Sequence, residues 1–347
     1  MTKVTAEQLA KARGCLLGLM LGDALGASGT DLPASGPLRA TSAGQLVCFT
    51  VEGTIRANIR GSHKGICHPP SVVRHAYTRW AALQGIPGIN RSREEDWPDG
   101  WLAQVPVLAA RRGSAPATVA ALRGRQEGVP DHPIRTSLGA HALTRALPTG
   151  LIEPWGPASV RFATEVAATT HAVEAAEVAA IGATTVANCR AGHPVEAAVE
   201  LAQRECATLA ARPVSLPEIA DALATARSKP AQPGELARLA PDARASSALA
   251  GAVYVAACFP APEQIRHALL FAAASPHGRD VAPTVGALLG VTHGFDALPI
   301  ELVYRLELGW VADVLARDLL SEFVDGPSGS DYTPAADPRW WDRYPGW

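Results

Sequence analysis

The chain has 347 residues, 31 Lys+Arg against 33 Asp+Glu, a formal charge of −2, 48% hydrophobic residues and only 5% aromatics. That length suits one large domain or two ordinary ones and allows a core without metal or disulfide staples. The balanced charge argues against a general nucleic-acid or acidic-membrane binder, the apolar content argues against disorder, and the longest apolar stretch, residues 14–21, falls far short of the roughly 20 residues a membrane span needs.

The elements read as helices almost throughout. Thr5-Ala6-Glu7-Gln8 is a capping box, followed by Leu9, Ala12, Leu16, Leu17 and Leu19 at helical spacing. Residues 22–26 are expected to end or kink that helix, and 27–47, rich in Gly, Pro, Ser and Thr, to form a loop. Pro69-Pro70 opens a helix running to Trp80, and two more fit 101–111 and 116–124. Residues 125–157 read as a long loop carrying one short helix. From there the pattern predicts helices over 158–170, 173–190, 194–211, 216–227 (behind a Ser215–Glu218 capping box), 233–239, 245–258, 262–274, 281–293 and 300–322. About one residue in five is Ala, which favours close helix packing, and no stretch alternates with period two. The expectation is an all-α fold: a single orthogonal bundle of about a dozen helices over residues 1–325. The tail 326–347, with Trp340, Trp341, Tyr344 and Trp347, is expected to lie over it as an aromatic anchor.

The phosphate-cradling G-x-x-x-x-G-K, a strand-borne G-x-G-x-x-G, G-x-S-x-G and H-E-x-x-H are all missing, which removes the usual nucleoside-triphosphate, dehydrogenase, serine-hydrolase and zinc-protease readings. Cys15, Cys48, Cys67, Cys189, Cys206 and Cys258 form no C-x-x-C pair and read as reduced thiols of a cytoplasmic protein. Asp23 follows the first apolar run too soon for that run to be a signal peptide. Gly14, Gly18, Gly22 and Gly26 recur every four residues, a smooth stripe along one helix face. Each Gly costs a helix about 1 kcal/mol relative to Ala, so the stripe needs a reason: tight packing, or a ligand at the helix end beside Asp23.

Gly18-x-x-x-Gly22-Asp23-Ala24-x-Gly26 resembles the opening signature of the ADP-ribosylglycohydrolase family, the dinitrogenase-reductase-activating-glycohydrolase-like proteins. The resemblance continues through residues 49–53, 65–70 and Ala76-Tyr77-x-x-Trp80, then Thr169-Thr170-His171, Ser247–Ala250 and Gly286–Gly294, and ends at the tail 343–347. It implies an all-α bundle with a two-metal cleft, in which Mg²⁺ or Mn²⁺ assists cleavage of an N- or O-glycosidic bond of ADP-ribose.

This chain departs from the pattern where the family places its metal ligands. The Glu expected seven residues after the Asp of G-D-A is Thr30, with Asp31 one residue late. The T-D-D-T block is expected between Leu46 and Phe49, where only Val47-Cys48 stands, so it reads as deleted. The late D-x-D-[ST] is replaced by His277-Gly278-Arg279, with Asp280 shifted by one. In the N-x-S-x-G motif Ser137 and Gly139 fit, as do Arg145 and Pro148 beyond it, whereas Arg135 stands for Asn. Hard cations need oxygen ligands with carboxylates to balance their charge, and a guanidinium cannot coordinate one.

No metal is therefore expected. The favoured expectation is a family member without ordinary di-metal hydrolysis that binds an ADP-ribose-like small molecule, or a protein partner, in a residual cleft. The alternative is a working hydrolase with a rebuilt, metal-independent site. Its catalytic candidates are Asp23, Asp31, His277 and Asp280, with Ser137, Gly139, His141, His171 and Arg279 binding substrate. Weaker options are one metal held by Asp23, Asp31 and Asp280, or a zinc held by His141, His171 and His277. The blander reading makes the histidines core or surface residues and Arg279-Asp280 a local ion pair.

Overall fold

The structure, a computed structural model, describes residues 3–89, 97–124, 126–132, 136–209 and 216–345. Arg135, Ser215 and Trp347, each invoked above, lie outside the described residues. The helices in chain order are α1 (Ala6–Ser28), α2 (Ser42–Lys64), α3 (Pro69–Leu83), α4 (Pro106–Ala109), α5 (Pro116–Arg123), α6 (His141–Ala146), α7 (Pro157–Ala168), α8 (Val173–Arg190), α9 (Val195–Leu209), α10 (Pro217–Ser228), α11 (Pro233–Leu239), α12 (Ala245–Cys258), α13 (Ile265–Ala273), α14 (Gly278–His293), α15 (Ile300–Val303), α16 (Gly309–Val324) and α17 (Trp340–Arg343). Twelve of them are eight residues or longer, and among the described residues there is no strand, so the all-α expectation holds.

Four helices form the centre because they are apolar on every side. α1 is buried from Gly14 to Leu25 without a break, and α8, α12 and α14 are nearly as enclosed. Around them α7, α9 and α13 bury one stripe and keep charged residues outward, while α3 buries Arg79 along with its apolar stripe. Thr5 caps α1 as expected, its hydroxyl accepting from Gln8 N while Gln8 Oε1 accepts from Thr5 N.

Two expectations near the N-terminus are corrected. The glycines at 22 and 26 neither end nor kink α1, which runs on to Ser28. They belong to a seam with the antiparallel α14. A Cβ on Gly14 would lie 2.1 Å from Gly290 O, on Gly18 2.1 Å from Gly286 O, on Gly22 2.0 Å from Ala282 O and on Gly26 2.5 Å from Gly278 O. Backbone meets backbone along four turns, and only Gly permits that approach. The second correction concerns the loop expected over 27–47, which is shorter, since α2 starts at Ser42 behind the N-cap Thr41. The segments 101–111 and 300–322 are each split as well, because Pro106 and Gly309 start new helices.

A buried ion-pair network ties α2 to α3. Glu52, Arg56 and Arg79 are at most 1% exposed. Glu52 pairs with both arginines, through Arg56 Nε and, at 2.5 Å, Arg79 Nη2, and Asp99 Oδ2 accepts from Arg56 Nη1 at 2.7 Å. Two carboxylates thus balance two guanidiniums, which is how charges survive away from water. At the other end of the chain, Trp340 and Tyr344 are buried. Tyr344 donates its hydroxyl to Asp318 Oδ2 on α16 at 2.6 Å, and Trp341 meets the His63 ring edge-on.

Candidate functional site

Asp23 sits mid-helix on α1, fully buried, facing the start of α2. Oδ2 accepts the Thr41 backbone N–H at 2.6 Å, and Oδ1 accepts the Thr41 hydroxyl at 2.6 Å. The approach is close because residue 44 is Gly, where a Cβ would come within 2.5 Å of Oδ2. Burial raises the Asp23 carboxyl to about 6, against the opposing pull of the Thr41 and Gly44 hydrogen bonds and of Arg279. The carboxylate is therefore a cap for a helix N-terminus, whose partial positive charge suits it.

α2 passes through Val47 and Cys48 unbroken, both fully buried. The stretch of α2 presented to Asp23 is Thr41-Ser42-Ala43-Gly44, which carries a threonine and no carboxylate.

A second wall comes from residues 137–141. Ala140 N donates to Ala243 O, Ala245 N to Leu138 O and Ala172 N to Ser137 O, each at 2.9 Å. These bonds pin the loop between the end of α7 and the start of α12. His141 then opens α6, half-buried, and burial followed by Arg145 and Arg279 lowers its imidazole to about 4. His171 is 1% exposed, its Nδ1 2.8 Å from Thr170 Oγ1. Burial, then Arg145 and His141, holds it well below the usual histidine range. Its Nε2 faces the loop, 3.8 Å from where a Gly139 Cβ would stand, and Ser137 Oγ lies 3.4 Å from the same point.

The third wall is the first turn of α14. His277 is its N-cap, Arg279 is exposed, and Asp280 is half-buried with Oδ2 3.9 Å from His277 Nδ1. Burial raises the Asp280 carboxyl and Asp242 adds to the rise, while His277 and Arg279 oppose it. Asp242 itself accepts from Ser247 Oγ at 2.6 Å and from Arg244 N at 3.0 Å.

Electrostatics thus link Asp23 to Arg279, Arg279 to His141 and Asp280, His141 to His171, and Asp280 to His277. Six of the nine sequence candidates fall into this connected set, and Ser137 and Gly139 adjoin it beside His171 Nε2. Asp31 does not: it is exposed on the turn after α1, held by its backbone N–H to Ser28 O. Its proposed partnership with Asp23 and Asp280 finds no contact among the described residues. Three participants went unlisted as candidates. Asp242 carried a readable signal as an Asp ahead of Ser247, whereas Thr41 carried none, because the start of the helix it caps was not legible. Arg145 was visible only through its place in the family motif.

The donor set does not fit a pair of hard cations. Both Asp23 oxygens already accept hydrogen bonds, the positive charge of Arg279 acts on the carboxyl, and among the described residues no three His, Cys, Asp or Glu group so as to hold a metal ion. What the arrangement offers instead is neutral imidazole donors, hydroxyls and two guanidiniums. A cavity of about 340 Å³ between α7, α8 and α9, lined by Val160, Arg161, Glu165 and Leu209 among others, contains none of these residues. The titratable set marks the better candidate, because perturbed ionisable groups gather at working sites.

A family model described as ADP-ribosylglycohydrolase matches residues 4–328. A solved structure titled "ADP-ribosylglycohydrolase-related protein complex" is similar at a TM-score of 0.58 and 20% identity, covering 92% of this chain and 100% of its own; at that identity the likeness concerns the fold. A comparison with curated proteins finds no match. With nearly the whole length matched by the family model, the chain belongs to the ADP-ribosylglycohydrolase family.

Proposed function

We propose that this chain is an ADP-ribosylglycohydrolase-like protein without ordinary di-magnesium hydrolase activity, and that it binds an ADP-ribose-like nucleotide at the site built from α1, α6, α7 and α14. The observation that carries this reading is the engagement of both Asp23 oxygens by Thr41, with the charge of Arg279 acting on the same carboxyl from a place where the family pattern has a metal-binding carboxylate. A guanidinium supplies positive charge without coordination chemistry and pairs well with phosphate. Neutral His141, neutral His171 and Ser137 suit sugar and phosphate oxygens. A cytoplasmic setting, with no nucleic acid or membrane partner, accompanies the proposal.

The test is calorimetry with ADP-ribose, AMP and inorganic phosphate, with Mg²⁺ and with chelator, beside an assay for ADP-ribose release from ADP-ribosyl-arginine. ADP-ribose binding that is indifferent to chelator, without release, is the expected result. Mg²⁺-dependent release overturns it.

One observation favours a second reading, a metal-independent hydrolase of an N-glycosidic bond. His277 and Asp280 form a partly exposed pair near Asp242, an arrangement with the groups for acid–base chemistry. Chelator-resistant release of ADP-ribose that His277→Ala abolishes would select it.

A further inference from the structure

Arg145 is a large buried charge with no carboxylate partner among the described residues. It is 1% exposed, on α6. Its guanidinium lies 4.8 Å over the Tyr77 ring. Nη1 donates to Thr118 Oγ1 at 3.2 Å, and Nη2 to Ala167 O at 3.1 Å, to Val166 O at 3.4 Å and to Thr170 Oγ1. Two of these acceptors are carbonyls at the end of α7, where a helix presents its negative pole. The charge is therefore met only by dipoles and a ring face, with Nε lacking a hydrogen-bond partner among the described residues, and its field extends unbalanced toward His171.

Thr170 stands between them, fully buried. A guanidinium only donates, so the Thr170 oxygen accepts from Arg145. The hydroxyl hydrogen then needs an acceptor of its own. Among the described residues the other hydrogen-bond neighbour of this oxygen is His171 Nδ1 at 2.8 Å. Were Nδ1 protonated, it would donate to the same oxygen and strand the hydroxyl hydrogen without a partner away from water. We infer that Arg145 and Thr170 are positioning residues which fix His171 in its Nε2–H tautomer, so that the imidazole offers the site a permanent hydrogen-bond donor and never a base.

Nε2 is free to do this. No partner for it is present among the described residues, and it faces Gly139 beside Ser137 Oγ. The group it receives is an oxygen acceptor carrying negative charge, of which a phosphoryl oxygen is the simplest, since the Arg145 field that suppresses an imidazolium also favours an anion. Arg145 and His141 from α6 are the groups acting on the His171 ring, with Arg279 of α14 acting on His141 in turn, and all of them disfavour a second ring proton. The ligand half of the inference rests on the nucleotide-binding reading; the tautomer half does not.

The experiment is long-range ¹H–¹⁵N correlation on the full chain, ligand-free, from about pH 5 to 8, the range in which an ordinary histidine titrates. His171 is expected to show an unprotonated Nδ1 and a protonated Nε2 throughout. Thr170→Val should release the tautomer to a mixture and Thr170→Ser should restore it, a pattern that mere packing would not give. An imidazolium at neutral pH, a proton on Nδ1, or an unchanged tautomer in Thr170→Val overturns the inference. With ADP-ribose as probe, Thr170→Val should weaken binding about tenfold, as for one lost hydrogen bond to a charged group. A fixed tautomer in a protein that binds no ADP-ribose would overturn the nucleotide reading and leave the relay standing.

Discussion

Helices α1 and α14 meet in two ways within a few turns. Along residues 14–26 their backbones touch, and no side chain intervenes. Where α14 begins, charged side chains take over: Arg279 and Asp280 on one helix, Asp23 on the other. The seam depends on the absence of atoms and tolerates almost no substitution. The polar end depends on which atoms are present, and exchanging them leaves the seam alone. The architecture of the seam therefore does not depend on the charged residues at its polar end. The residues that hold the helices together are not the residues that hold a ligand.

The sharpest way to break this contrast is to place a methyl group in the seam. Gly18→Ala puts a Cβ 2.1 Å from a backbone oxygen, with Gly286 unable to retreat without moving α14. We expect a loss of more than about 3 kcal/mol in thermal unfolding followed by circular dichroism, beyond most overpacking changes. A near-normal melt would show that the seam is looser than described.

The polar end should answer to pH instead. The folded pKa of Asp23, about 6, lies above its unfolded value of about 3.9, so the folded state binds the extra proton. Its contribution is therefore fully present below about pH 4 and is lost as pH rises through 6, a change of up to about 3 kcal/mol. Asp23→Asn removes that dependence. Unfolding of wild type and Asp23→Asn at pH 4 and pH 7 should show the difference moving against wild type as pH rises. A constant difference would mean that the carboxyl is not raised.

Smaller effects bound the comparison. Tyr344→Phe deletes the buried hydroxyl on Asp318 and should cost about 1–2 kcal/mol in urea unfolding, Arg343 keeping that carboxylate paired at 2.9 Å. Gly234→Ala, on α11 with open space around its Cβ, should instead stabilise by up to about 1 kcal/mol. If Gly18→Ala and Gly234→Ala shifted the melt alike, the special standing of the seam would be lost.

Most helices were legible in the sequence because their apolar spacing is regular, and 173–190, 233–239 and 245–258 match to the residue. The start of α2 was not, because Ser42, Ala43 and Gly44 are small or polar yet buried, and only the Asp23 carboxylate explains that placement. The full extent of α1 was hidden for a related reason. Glycines read as breakers until the helix that fills their groove is known, and that helix lies at the far end of the chain. At the site, the motifs pick out His141, His171 and Arg279, which the fold brings into one electrostatic set, whereas Asp31, one residue off the family register, lies apart on the turn after α1. The isolation of Arg145 from any carboxylate was unreadable, since its partners Thr118 and Tyr77 come from other helices.

The seam also fixes an order of events. Gly14 and Gly290 lie at opposite ends of the chain, yet neither helix has another surface for its glycine stripe. During synthesis α1 emerges first and waits, its apolar faces uncovered, until α14 has left the ribosome. Contacts this distant in sequence slow folding and prolong the exposure of sticky surface. A chain cut anywhere before Gly278 would thus lack the partner of its first helix, and should persist as an aggregation-prone fragment rather than as a smaller folded domain.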